Sequence, residues 1–157
     1  MLLYLDTFNK IGDRVDGLIR EELDIQGHNA TGKLSNSIRH EVEGVSINGF
    51  ANDYSIFVNN RSRPHFINKE GVQSLKEWLS VKGIDQKALW PIIKKIQAEG
   101  TPTSGSYRFS KNGKRTDFVS DVITNKKNII TDLVKEELAS LYGLAIEDIL
   151  GKQKILK

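Results

Sequence analysis

The chain predicts an α+β fold: an antiparallel three- to four-stranded meander packed against a long N-terminal helix, with further C-terminal helices and a protruding basic hairpin or loop. Three observations predict it. Apolar residues recur every three or four positions from Leu5 to Leu23, the period falls to two between Ile38 and Val58, and periodicity of either kind stops between Thr101 and Thr116. At 157 residues, with 38% apolar and 27% charged side chains, the chain has room for one core. It reads as a single domain over 1–157, with its core at about 3–142, an arm at about 101–116, and a docking turn and tail at 143–157.

The first helix is placed at about 3–24 by the stripe Leu5, Phe8, Ile11, Val15, Leu18, Ile19 and Leu23. Gly12 and Gly17 each cost roughly 1 kcal/mol in a helix interior, so its stability must come from packing. Strands follow near 37–43, 45–51 and 54–59, where Ile38/His40/Val42, Val45/Ile47 and Tyr54/Ile56/Val58 alternate with other residues. Links as short as Gly44 and Asn52-Asp53 force antiparallel neighbours, because parallel pairing needs a crossover of about a dozen residues. The segment Arg61–Pro64 ends the sheet, since proline cannot donate to a ladder.

A second helix is expected over about 69–82, with Val72, Leu75, Trp78 and Leu79 on one face and Gly83 as a left-handed cap. A third starts with Asp85 as cap and Pro91 near the first turn, and runs on Leu89, Ile92, Ile93 and Ile96 to Gly100. Asn112-Gly113, flanked by polar residues, suggests a type I′ hairpin turn in the arm. A last long helix fits 117–142, weak at Asn125–Asn128 and ended by Gly143. Beyond it, Ile146, Ile149 and Leu150 suggest a docking turn before a basic tail at Lys152, Lys154 and Lys157.

The net charge of +3 is regional: the stretch 1–60 sums to −4, 61–115 to +8 and 116–157 to −1. With no cysteine, disulfides and thiol nucleophiles are excluded. His28, His40 and His65 lie far apart without metal-ligand spacing, so neither a metal nor another cofactor is expected. Gly100–Ser106 has only the glycine spacing of a phosphate loop and lacks its lysine. Glu77, Asp85 and Lys87 are the one triplet that could serve a metal-dependent nuclease, and Asp85 has a simpler role as a cap. No run of about 18 apolar residues occurs, and no basic residue precedes the apolar start, so neither a membrane span nor a secretory signal is expected.

The basic middle third is the remaining signal. Arg61, Arg63 and Pro64 crowd the sheet exit, and Arg108, Lys111, Lys114 and Arg115 surround Tyr107 and Phe109. Interleaved cations and aromatics suit a nucleic-acid-binding module, and they equally suit a subunit that reaches a neighbour, with Tyr, Phe and Arg as anchors. On the second reading the arm is free in the monomer and orders on a neighbour.

Several blocks in sequence order resemble the tail-completion or neck proteins of tailed bacteriophages. They are Thr31-Gly32-x-Leu34-x-x-Ser37-Ile38, Tyr54-x-x-x-Val58 with the Arg61 and Pro64 exit, Trp78-Leu79-x-x-Lys82-Gly83-Ile84, and Ile92-x-x-x-Ile96-x-x-x-Gly100-Thr101-Pro102. With the flanking helices the resemblance covers about 5–142. It departs at Asn59-Asn60-Arg61, where relatives often carry an acidic residue and a Gly-Thr pair, and in a longer basic arm. The resemblance implies a structural protein without catalysis, forming a homo-oligomeric ring of six or twelve copies at the virion's head–tail junction after assembly in the host cytoplasm. Its partners would be other neck, portal or tail proteins, with genomic DNA passing through the channel without sequence-specific binding. The expected contact residues are Arg61, Arg63, Pro64, Tyr107, Arg108, Phe109, Lys111, Lys114 and Arg115.

Overall fold

The computed structural model describes the backbone of residues 2–155 and the side chains of residues 4–146. Helix α1, Leu2–Ile25, is the long N-terminal helix that the apolar stripe demands. A short helix α2, Lys33–Ser37, leads into strands β1, Arg39–Glu43, and β2, Ser46–Phe50, which pair antiparallel with Glu43 opposite Ser46. Gly44, at φ 58, takes the first central position of the tight turn, where a side chain would be strained. The hairpin lies on α1, and the contact explains one of that helix's glycines. The His40 imidazole donates from Nδ1 to Asp16 Oδ2 at 2.9 Å, and a Cβ on Gly12 would collide with the ring.

The sheet stops there. Among the described residues it has two strands, and the third strand expected at 54–59 is a helix, α3, Tyr54–Asn60. A short apolar run satisfies period 2 and period 3.6 alike, and only the neighbours it meets decide between them. In α3 Val58 is buried while Tyr54, Ile56 and Phe57 remain exposed.

Helices α4, Lys69–Val81, and α5, Leu89–Glu99, pack on one another through Leu79, Leu89 and Ile93. Gly83 (φ 64) follows α4, and the Asp85 carboxylate accepts from Lys87 N at 2.8 Å to cap a 3₁₀ turn, Gln86–Ala88. Pro91 sits in the first turn of α5, where its missing N–H costs nothing. The two strands of chain that enter and leave this pair are tied together: Ser62 N donates to Thr101 O at 2.8 Å, and the Ser62 and Thr101 hydroxyls lie 2.6 Å apart.

The arm expected to protrude at 101–116 instead folds back onto the body. Its first half is a 3₁₀ helix, Ser104–Phe109, rather than a strand, and Asn112 keeps an ordinary φ, so no type I′ turn forms at Asn112-Gly113. Lys111 N donates to Ile25 O at 2.7 Å, Asn112 Nδ2 to Glu22 Oε1 at 3.1 Å, and Phe109 packs edge-on against Trp78 at 5.4 Å between ring centroids. A chain this polar stays down because the exposed end of α1 and two buried carboxylates offer it partners. Gly27 (φ 73) makes the close approach possible, since a Cβ there would overlap the Phe109 carbonyl.

The last helix is two helices, α6, Phe118–Asn125, and α7, Lys127–Ile155, broken at Lys126 inside the weak stretch. Gly143 does not end it, and helix replaces the expected docking turn. The side chains of Ile149 and Leu150 and the basic tail lie outside the described residues.

Two separate apolar clusters result. Leu23, Leu34, Ile38, Val58 and Phe118 join α1, α2, α3 and α6; Leu79, Leu89 and Ile93 hold α4 to α5. Each fully buried side chain contributes about 1.5–3 kcal/mol, so both lobes are internally held, and the space between them is where the fold leaves a gap.

Candidate functional site

The wrongly expected strand builds the site. As a helix, α3 sets Tyr54, Phe57 and Val58 at i, i+3 and i+4, which is a single face, and Arg61 follows as its C-terminal cap at φ 65. All four line a groove of about 1070 Å³ between the two lobes. Leu75 and Trp78 of α4 with Ile92 and Ile96 of α5 form the facing wall, the Arg61–His65 loop borders it, and Phe109 with Arg108 contributes from the 3₁₀ segment.

The charge of this groove is one-sided. Arg61, Arg63, Lys95, Arg108 and Arg115 line it together with His28 and His65, and among the described residues no aspartate or glutamate does. Three of the rim cations have partners: Arg61 Nη2 donates to Glu99 O at 3.4 Å, Lys95 lies 3.7 Å from Glu99 Oε1, and the Arg108 guanidinium stacks 4.8 Å from the Phe109 ring centroid. Glu99 itself turns away, accepting the Ser104 amide at 2.9 Å, and that hydrogen bond, ahead of Lys95, holds its carboxyl below the usual range.

Arg115 differs from the rim. It is 8% exposed, its Nη1 donates to Gly27 O and its Nη2 to His28 Nδ1, each at a long 3.4 Å, and its buried Nε has no hydrogen-bond partner. Among the described residues no carboxylate pairs with it. Burial pulls its pKa below the ordinary arginine value, with the nearby Tyr54 and Tyr107 pulling the other way. His28 completes the arrangement from the turn after α1. Its Nε2–H donates to Arg115 O at 3.0 Å while Nδ1 accepts from the guanidinium, so the ring is neutral. Burial, and then the Arg115 charge, hold His28 down at about 4. Partial burial shifts Tyr54 upward, with the Arg115 charge pulling the other way.

Six of the nine residues expected to make contacts therefore meet in one place: Arg61, Arg63, Pro64, Arg108, Phe109 and Arg115 all line the groove. Tyr107 lies outside its lining. Lys111 and Lys114 are engaged within the chain, with Asp24 at 2.6 Å and Asp121 at 2.7 Å; the Asp121 hydrogen bond raises the Lys114 pKa. His28, Tyr54, Phe57, Trp78 and Lys95 were not anticipated as site residues. The spacing of Tyr54, Phe57 and Val58 at i, i+3 and i+4 is the signal that could have found this face.

Chemically the groove offers apolar surface and hydrogen-bond donors. Both nitrogens of His28 are taken by Arg115, which leaves that ring no free position from which to move a proton. The arrangement suits holding an anionic group carried on an apolar body. Among the described residues no helix is long and apolar enough to cross a membrane. Comparison with family models, with curated proteins and with solved structures finds no match to this chain.

Proposed function

We propose that this chain is a ring-forming structural subunit of a tailed-phage virion, a neck or tail-completion protein at the head–tail junction that surrounds or lines the DNA conduit and acts by gripping its neighbours. The single observation that carries the assembly reading is the acid-free groove. An apolar cleft with a buried guanidinium lacking an anionic partner is stable alone only at a cost, because a buried charge is offset only by good pairing, and a partner would offset it. The resemblance in blocks from Thr31 to Pro102 supplies the phage context. Closed rings suit such a protein, since each copy makes one contact on each side and closure makes the assembly far more persistent than a single contact.

Native mass spectrometry of the purified chain tests the reading, together with mass-spectrometric identification of the chain in purified particles. A discrete closed oligomer found in virions is expected. A chain that stays monomeric at high concentration and is missing from particles would refute it. A free nucleic-acid-binding module predicts instead oligonucleotide binding that weakens steeply as salt rises.

A further inference from the structure

The β1–β2 hairpin, which lies along α1, ends in an exposed acidic, apolar tip. Val45 is 80% exposed, an unusual position for a valine, and Glu43 beside it is also exposed and has no ion-pair partner among the described residues. Gly44 holds these two side chains on a tight turn. The tip is thus complementary to the groove in both respects, one carboxylate against a buried arginine and one aliphatic side chain against an apolar wall.

The placement of tip and groove prevents a chain from filling its own groove. Ile38 O accepts from Arg20, and two residues later the His40 ring contacts Asn9 and Asp16 and covers Gly12, so β1 runs toward the N-terminal end of α1. The tip lies a further three or four residues along. The groove sits at the other end, where His28 follows α1. With 24 residues in α1, the two features are separated by roughly 30 Å. An exposed tip at one end and a complementary recess at the other make a head-to-tail contact, which generates rings or filaments rather than two-fold dimers. The regional charges agree, with −4 over the stretch that bears the tip and +8 over the stretch that builds most of the groove.

We infer that the Glu43–Ser46 tip of one copy seats in the groove of the next, with Val45 against Phe57 and Trp78 and the Glu43 carboxylate on Arg115. The inference rests on the assembly reading and names the partner at that site: a second copy of this chain. The rim cations Arg61, Arg63 and Arg108 steer the acidic tip inward, and Arg115 fixes it.

Complementation between two surface variants of the full chain tests it. Val45→Asp spoils the tip and Phe57→Asp spoils the groove; both positions are exposed, Phe57 at 60%, so circular dichroism should show native folding for each. Each variant alone is expected to be monomeric by sedimentation, whereas the equimolar mixture should form a 1:1 heterodimer and nothing larger, because one intact tip meets one intact groove. Glu43→Gln should weaken association by about tenfold or more, as removal of one partner of a buried charge pair does. Wild-type-like oligomers from Val45→Asp or from Phe57→Asp, a mixture that stays monomeric, or an unchanged affinity in Glu43→Gln would each overturn the inference. So would a wild-type chain that never self-associates, or an apolar anion such as laurate binding in a Phe57-dependent way while oligomers ignore the tip. Oligomers that survive Val45→Asp and still enter virions would sink this contact and leave the neck reading intact. A 1:1 heterodimer from a chain missing from virions would do the reverse.

Discussion

One identifiable residue, His28, should make this protein lose stability as the pH falls. His28 is held neutral at about 4 against an ordinary value of 6.5, by burial and by the adjacent Arg115 guanidinium. Above pH 6.5 the ring is neutral both folded and unfolded, and it contributes nothing to the pH dependence. Below that value the unfolded chain takes up a proton that the folded chain refuses, so stability falls with pH until the folded-state pKa is reached. Protonation linkage across that gap gives a loss of about 1 kcal/mol at pH 5.5 and between about 2 and 3 kcal/mol at pH 4.5.

Carboxylates also titrate toward pH 4, so the wild-type curve alone is not diagnostic, and the informative quantity is its difference from His28→Gln. Glutamine retains an N–H for the Arg115 carbonyl and cannot take a proton. Urea unfolding of both proteins at pH 7.5, 5.5 and 4.5 supplies the free energies, and with m near 1–3 kcal/mol per molar the wild-type midpoint should fall by about 1 M more than the variant's between pH 7.5 and 4.5. Parallel curves for the two proteins would refute the assignment of His28 as the acid-sensitive group.

Three further outcomes are expected. Phe118→Ala, at a ring 1% exposed among Leu23, Leu34, Ile38 and Val58, should cost about 3–5 kcal/mol in chemical denaturation. Gly100→Ala should cost at least about 2 kcal/mol, because φ is 80 there and a Cβ would strike the Ser62 carbonyl; a near-neutral result would contradict the pinned crossing of the two lobe connections. Deleting residues 104–115 should lower the thermal midpoint by more than about 5 °C and raise protease sensitivity, since the segment holds the Trp78–Phe109 contact, the Lys111–Asp24 pair and the buried Arg115; an unchanged midpoint would restore the picture of a free arm.

Where a segment carried its own local signal, the sequence was legible. The α1 stripe, the caps at Asp85 and Gly83 and the break near Asn125 need no distant partner to be read, and the structure has each of them. Alternation over Tyr54–Val58 does not specify a strand, because five residues cannot separate two periods, and the deciding fact is tertiary: the helix buries Val58 in a cluster with Phe118 and Leu34, where a strand would need a ladder partner. A related reason applies to the arm. Its polarity matches a solvated loop, but most of the groups that hold it, Glu22, Asp24 and Ile25 O on α1, are distant in sequence.

The same two elements, α3 and the arm, decide where the expected contact residues lie, and six of the nine line one groove. Cations and aromatics attract attention by composition, so Arg61, Arg63, Arg108, Phe109 and Arg115 could be picked out without a fold. A groove is a relation between elements, and it requires that α3 be a helix and that the arm lie down against Trp78. Both hold only because the chain builds two small cores instead of one. With the lobes held apart, apolar walls and a buried guanidinium persist together in the folded chain, at a free-energy cost that an acidic, apolar partner would offset on binding.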